Sequence, residues 1–292
     1  MSRQVVTAAG FAVLAAMFWA ATLGSASLLP AGFPTVEIVA GRYTVQLALL
    51  MVLVMPFRGT KLVRTSRPRL HILRGVTMIV MPITFELAVN RLGAGDALAA
   101  VWFAPLFGLA FGYLAMGESL RPASVAIASA ATVGAFVASS PTAFASVSGA
   151  IAALCSAAAF GAFFTLTRAL RGESAATGLF WTAACVAIPA IALLPLAWQP
   201  LTARSATALV LMGVLWLLVL LTIDEALRRA PLHLLAPFFL SEILWTRVLF
   251  RAPWSRGATA GLVILVVCAV WALVRSSDAD NGLSPLRTSA AL

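Results

Sequence analysis

Long apolar runs, broken by short polar, Pro or Gly clusters, set the grain of this chain. Cutting at those clusters leaves ten runs of about the 20 residues a helix needs to cross a bilayer. They lie at about 5–29, 34–56, 70–91, 95–115, 122–139, 147–170, 175–196, 205–229, 231–250 and 256–275. Several joins are only a few residues long, as expected for antiparallel neighbours in a compact bundle. Two stretches share one build, Glu86 to Phe107 (ELAVNRLGAGDALAAVWFAPLF) and Asp224 to Trp245 (DEALRRAPLHLLAPFFLSEILW). Each reads as an apolar helix, a short polar turn and a second apolar helix. Placing Ala88 on Ala226 sets an offset of 138 and brings Asn90-Arg91 onto Arg228-Arg229. An offset of about half of the 292 residues predicts two homologous halves of five helices each. The expected fold is thus all-α and polytopic, with one five-helix repeat over 5–139, a second over 147–275, and a disordered polar tail over 276–292.

Basic residues give the orientation. With the N-terminus inside, 14 of the 20 Lys and Arg fall in cytoplasmic segments, five fall outside and Arg42 lies within a helix. Both termini are predicted to be cytoplasmic, in a multi-pass protein of a bacterial-type inner (plasma) membrane. Because five spans is an odd number, the second half is expected upside down relative to the first. Composition agrees, with 62% hydrophobic and 10% charged residues and a mean hydropathy of +1.00. The net charge of +10 does not point to nucleic acid, because the basic residues sit between apolar runs rather than on one amphipathic face. Arg3 and the run to Ser27 imitate a signal peptide but are too long for one, so they read as the first span. Cys155, Cys185 and Cys268 lie inside apolar runs without CxxC spacing, as packing residues would.

Ionisable groups inside a bilayer are candidate sites by default. Arg42 lies about 12 Å into the second span at the helical rise. It suits a substrate carboxylate or a structural pair with Glu37. Glu86 and Glu242 sit inside helices, and either could meet a substrate amine or carry a proton; Glu242 could equally be neutralised by Arg247. Asp96 reads as an N-cap. Asp224 and Glu225 stand four residues before Arg228 and Arg229, which favours local ion pairs with a contribution to gating as the sharper alternative. Trp19, Trp102, Phe163, Trp181 and Phe238 fall in the inner parts of helices and could line an amphipathic cavity, although packing explains any one of them. Pro105 and Pro237, in the repeat-related fourth and ninth spans, are candidate hinges.

Taken in order, several short motifs resemble the EamA-type ten-helix branch of the drug/metabolite transporter superfamily. They are Phe18-Trp19-Ala20, Arg42-Tyr43, Arg74-Gly75, Leu92 to Ala97, Ala104-Pro105-Leu106-Phe107, Gly117-Glu118, Ala230-Pro231 and Ala236-Pro237-Phe238, spread over residues 5 to 275. The resemblance implies a central cavity between two halves that moves small organic metabolites by alternating access. Members include exporters of amino acids, the aromatic amino acid exporter YddG among them, and carriers of nucleotide-like metabolites such as S-adenosylmethionine. Two departures stand out. The acidic residue after the fourth span has no counterpart after the ninth, which is shortened, and Asp224-Glu225 replaces the usual apolar or basic pair. The expectation is a monomeric secondary transporter exporting amino acids and similar small metabolites, with Arg42 on the carboxylate and an acid such as Glu242 near the amine. Alternatives are a nucleotide-like metabolite or drug efflux carrier and a non-transport membrane scaffold. No Walker motif, GxGxxG fingerprint or HExxH is present, so neither a cofactor or metal nor enzymatic chemistry is expected.

Overall fold

A computed structural model describes residues 3–118, 121–141, 146–251 and 253–282. Thirteen α-helices and no strand occur among them: α1 (Arg3–Ala26), α2 (Thr35–Leu53), α3 (Met55–Arg58), α4 (Pro68–Leu92), α5 (Ala94–Val101), α6 (Ala104–Met116), α7 (Pro122–Ser139), α8 (Val147–Ala169), α9 (Ala175–Leu193), α10 (Ala203–Arg229), α11 (Leu232–Phe239), α12 (Glu242–Phe250) and α13 (Arg256–Gly282). Ten stretches are long and apolar enough to cross a membrane, with α5–α6 forming the fourth and α11–α12 the ninth. Helices are forced here because lipid offers backbone groups no hydrogen-bond partner. Their ends follow local chemistry. Thr202 and Ser205 close a capping box on α10, Ser146 caps α8, and left-handed Gly117 ends α6. The last helix runs to Gly282, past the expected start of a disordered tail; residues 283–292 of that tail lie outside the described residues.

The sequence offset reappears in the backbone. Helices α5 and α11 each span eight residues and start 138 apart, and so do the starts of α6 and α12. Between the paired half-helices, Trp102-Phe103 and Leu240-Ser241 share φ near −70° and ψ near 0°, the same two-residue break at the same offset. The causes differ. Pro105 has no N–H for the carbonyl of Val101, whereas the Ser241 hydroxyl donates to the Phe238 carbonyl at 2.6 Å and competes with the helix ladder. The predicted shortening is present as well, α12 having nine residues against thirteen in α6.

Packing partners also exchange between the halves. Helix α1 packs on α10 and on α11–α12, as α8 packs on α4 and on α5–α6, while α2 meets α9 and α7 meets α13. The main core takes Trp19 and Tyr43 from the first half and Phe160, Phe163, Phe164, Trp216 and Phe239 from the second. Outside, large apolar side chains such as Leu53, Leu114, Val147 and Ile188 are exposed, the surface a bilayer would cover.

Three sequence readings change. Asp96 is not the N-cap of α5, a position held by Gly93, but a buried acid in its first turn, where the helix dipole favours it. Cys155 is exposed rather than buried. Trp181 lies near the start of α9, its Nε1 donating to the Val63 carbonyl at 2.9 Å, so it anchors a helix end.

Close backbone approach makes the α7–α13 contact testable. A Cβ on Gly261 would stand 2.3 Å from the Gly134 carbonyl oxygen and 2.4 Å from the Ala138 nitrogen, neither able to yield. Gly261→Ala is expected to cost about 1–3 kcal/mol and lower the thermal midpoint in detergent, whereas Gly10→Ala, with nothing within 4 Å, leaves it unchanged. Equal melting of both variants would refute this contact.

Candidate functional site

Polar contacts sort the helix ends onto two faces. One, carrying the described start of α1 and the end of α13, gathers residues 58–74, 118, 168–178 and 224–230; the other joins Glu37 to Gln199, Arg91 to Ser148 and Arg247 to Ala138. A cavity of about 160 Å³ lies toward the second face. The outer halves of α1, α2 and α4 line it with α5 and Met212 and Trp216 of α10. Pro82, inside α4, removes a backbone donor on this wall.

Arg42 is its principal cation. The guanidinium carbon lies 4.1 Å from the Trp216 ring centroid and 5.3 Å from that of Tyr43. Trp216 is held in place by its Nε1, which donates to the Tyr43 hydroxyl at 2.9 Å. No carboxylate pairs with Arg42 among the described residues; Glu37 instead accepts the Gln199 N–H at 3.2 Å. A desolvated cation–π contact contributes about 2 kcal/mol, less than the several kcal/mol a buried ion loses with its water. An anion in the cavity would offset the difference. Glu86 lines the same cavity, its Oε1 3.4 Å from the Asn90 amide nitrogen.

Trp19 forms the inner wall. Its ring stands 5.2 Å from Trp216, 4.9 Å from Phe160 and 5.9 Å from Trp102. Behind it is a void of about 10 Å³ bordered by Trp102, Phe164, Phe239 and Glu242.

The face that carries the helix termini is sealed by polar links between the halves. Fully buried Arg74 on α4 pairs with Asp224 on α10 at 3.0 Å and stacks over Phe163. Gly178 makes room, since a Cβ there would meet the guanidinium at 2.4 Å. Asp224 also pairs with Arg228 at 2.6 Å, and Arg228 donates to the Arg171 and Glu173 carbonyls. Burial alone would raise the Glu173 carboxyl, but hydrogen bonds from Thr65, His71 and Ser66 hold it down at about 2. Arg168 bridges Glu118 at 2.6 Å and reaches the Ala230 carbonyl.

Residues 6–140 match the sequence profile of the EamA-like transporter family. The match covers 135 of the 292 residues, about the first five of the ten spans. No curated protein sequence matches the chain. A solved crystal structure, described only as that of a protein, shares the fold with a TM-score of 0.78 at 20% identity, over 92% of this chain and 98% of that one.

The residues singled out from sequence separate into groups. Arg42, Glu86 and Trp19 meet at the cavity, and Trp102 and Glu242 border the void behind Trp19. Phe163 covers Arg74, Phe238 packs against the core, and Trp181 stacks on His71 near the sealed face. Glu242 opens α12 instead of lying mid-helix, and Arg247 does not neutralise it, donating to the carbonyls of Pro253 and Ala138. Pro105 follows the first break and Pro237 precedes the second. Asp224 and Glu225 make the expected pairs with Arg228 and Arg229. Sequence reasoning missed Tyr43 and Trp216 beside Arg42, and Arg74 beside Asp224. Arg74 alone carried a signal, as a basic residue seven positions into α4.

Removing one member of the buried pair strands the other. Asp224→Ala is expected to cost about 3–5 kcal/mol, and a combined Arg74→Met, Asp224→Met variant should recover more than half of that by thermal unfolding in detergent. An Asp224→Ala protein as stable as wild type would show that the pair does not hold the halves together.

Proposed function

We propose that this membrane transporter exports small zwitterionic metabolites, amino acids foremost, by alternating access of a cavity between its two halves. The carrying observation is Arg42, a cation with no carboxylate partner among the described residues, fixed on Trp216 in a cavity that also presents Glu86. A guanidinium matches a substrate carboxylate in shape and charge. Glu86 then faces the ammonium, a role the sequence had favoured for Glu242. At about 160 Å³ the cavity is smaller than the roughly 300–1,000 Å³ of sites for drug-sized ligands, which favours amino acids over S-adenosylmethionine-like or drug substrates.

An inverted repeat is supported by the shared breaks at offset 138 and by packing partners that exchange between halves. Such a repeat permits two related states in which one face seals as the other opens. Here the sealed face is the one rich in Lys and Arg, read as cytoplasmic, so the cavity opens outward. We read the protein as a monomer in the inner membrane, with both termini cytoplasmic and a small-molecule substrate and the bilayer as its partners.

Uptake of labelled amino acids, nucleotide-like metabolites and drugs into liposomes holding the purified protein tests this reading. Saturable amino-acid flux is expected, with Arg42→Ala raising KM about 10–100-fold, the worth of one lost charge-assisted contact, and Arg42→Lys recovering part of it. Amino-acid flux absent from wild type, or untouched by Arg42→Ala, would overturn the assignment.

A further inference from the structure

The cavity reading leaves a fully buried acid unused. Glu242 is 0% exposed. Its Oε1 accepts from the Thr246 hydroxyl one turn along α12, and its Oε2 has no partner. Trp102, which also borders the void, carries a second buried polar atom without a hydrogen-bond partner among the described residues, its indole Nε1. The void measures about 10 Å³, the threshold for one water molecule.

Among the described residues no charge answers Glu242. Each element packed around the void contributes apolar or aromatic groups: α1 gives Ala15 and Trp19, α8 gives Phe160 and Phe164, α10 gives Ile223, and α11 gives Phe239. Helix α7, which also packs on α12, approaches the break through Thr132, bonded to the Trp102 carbonyl. On α12 itself Arg247 is occupied by the carbonyls of Pro253 and Ala138. Arg42 borders the cavity on the other side of Trp19.

We propose that Glu242 is a proton-binding site through which transport is coupled to proton movement; the coupling rests on the cavity reading above, the proton site does not. A carboxylate with one hydroxyl donor and no cation is an uncompensated charge, so with Trp19 in place the group holds its proton. The neutral acid and the Trp102 N–H can both donate to a single water in the void, which satisfies both orphans. When Trp19 moves and the void floods, the carboxyl O–H breaks, the proton passes to water and leaves by whichever face is open, and the carboxylate stays behind. Its place as the first residue of α12 then favours the anion, because a helix N-terminus stabilises negative charge. Ionisation in turn keeps the void wet and Trp19 displaced until a proton returns. One proton therefore enters and leaves per opening of the Trp19 partition.

Two readouts test this on the full-length protein, one of which needs no substrate. Infrared difference spectra of purified wild type between neutral and alkaline pH should show a protonated-carboxyl C=O band that vanishes on raising the pH. Glu242→Gln, a neutral mimic expected to melt like wild type, should lack it, while Glu242→Asp should retain an acid band with a displaced midpoint. In liposomes with a trapped pH dye, substrate-induced proton movement should fall at least tenfold in Glu242→Gln, while substrate counterflow continues. A missing band in wild type, or proton movement equal to wild type in Glu242→Gln, overturns the proposal. If no amino acid moves at all, the substrate reading fails on its own, and the infrared band still decides the proton site.

Discussion

A charge inside a bilayer must be answered by another charge, by dipoles or by water, since leaving it bare costs several kcal/mol. The way this chain answers its buried charges separates scaffold from site. Arg74 and Asp224 answer each other and hold α4 to α10. Among the described residues Arg42 has aromatic faces and no carboxylate, and Glu242 has one hydroxyl. The first pair meets charge with opposite charge and closes a face, although the Arg74 nitrogens and Asp224 Oδ1 make no hydrogen bond among the described residues. The other two groups have no opposite charge beside them among the described residues, which on the proposed function leaves a ligand, a proton or water to supply the missing partner.

The seal and the cavity lie on opposite faces, and this gives the two a common energetic logic. The seal links residues from opposite halves: Arg74 with Asp224, Glu173 with Thr65 and His71, Glu118 with Arg168. On the proposed alternating-access mechanism, rocking one half against the other would break all of them together. Reversing a two-state equilibrium from 1:99 to 99:1 takes about 5.5 kcal/mol of differential binding, comparable with the roughly 3–5 kcal/mol at stake in a broken buried pair. On the proposed function, a carboxylate on Arg42 with an ammonium on Glu86 would draw α2 toward α4, and α4 is also the helix that Arg74 ties to α10 in the seal.

The ten spans and the offset of 138 were legible because they depend on chain position alone: apolar length sets a span, and a repeat sets an offset. The azimuth of each residue was not legible. In a soluble helix an apolar stripe tells which side faces inward, but a helix packed against protein on one side and lipid on the other is apolar all round. Depth could therefore be read for Phe163, yet not that it covers Arg74, and for Trp181 even depth failed, since it reaches the Val63 carbonyl near the start of α9. The same limit hid Trp216 and Tyr43, whose partnership with Arg42 joins α2 to α10 across the bundle. Ion pairs at i,i+4 were visible for Asp224 and Glu225 because spacing alone decides them. The second partner of Asp224, 150 positions away in sequence, left no such trace.

The breaks show what two similar halves leave free to differ. Trp102-Phe103 and Leu240-Ser241 have the same backbone, so each half owns a joint between two half-helices at the same depth. The residue that opens the helix after the joint is Ala104 in one half and Glu242 in the other. A methyl group is indifferent to wetting, whereas a carboxyl is not: flooding lets it ionise and drying obliges it to take up a proton. Two mechanically equivalent joints thus acquire different chemistry from one substitution. On the proton-site proposal, the joint of the second half responds to protons while that of the first does not, so an asymmetry of a few atoms would suffice to give a nearly symmetric bundle a preferred order of opening.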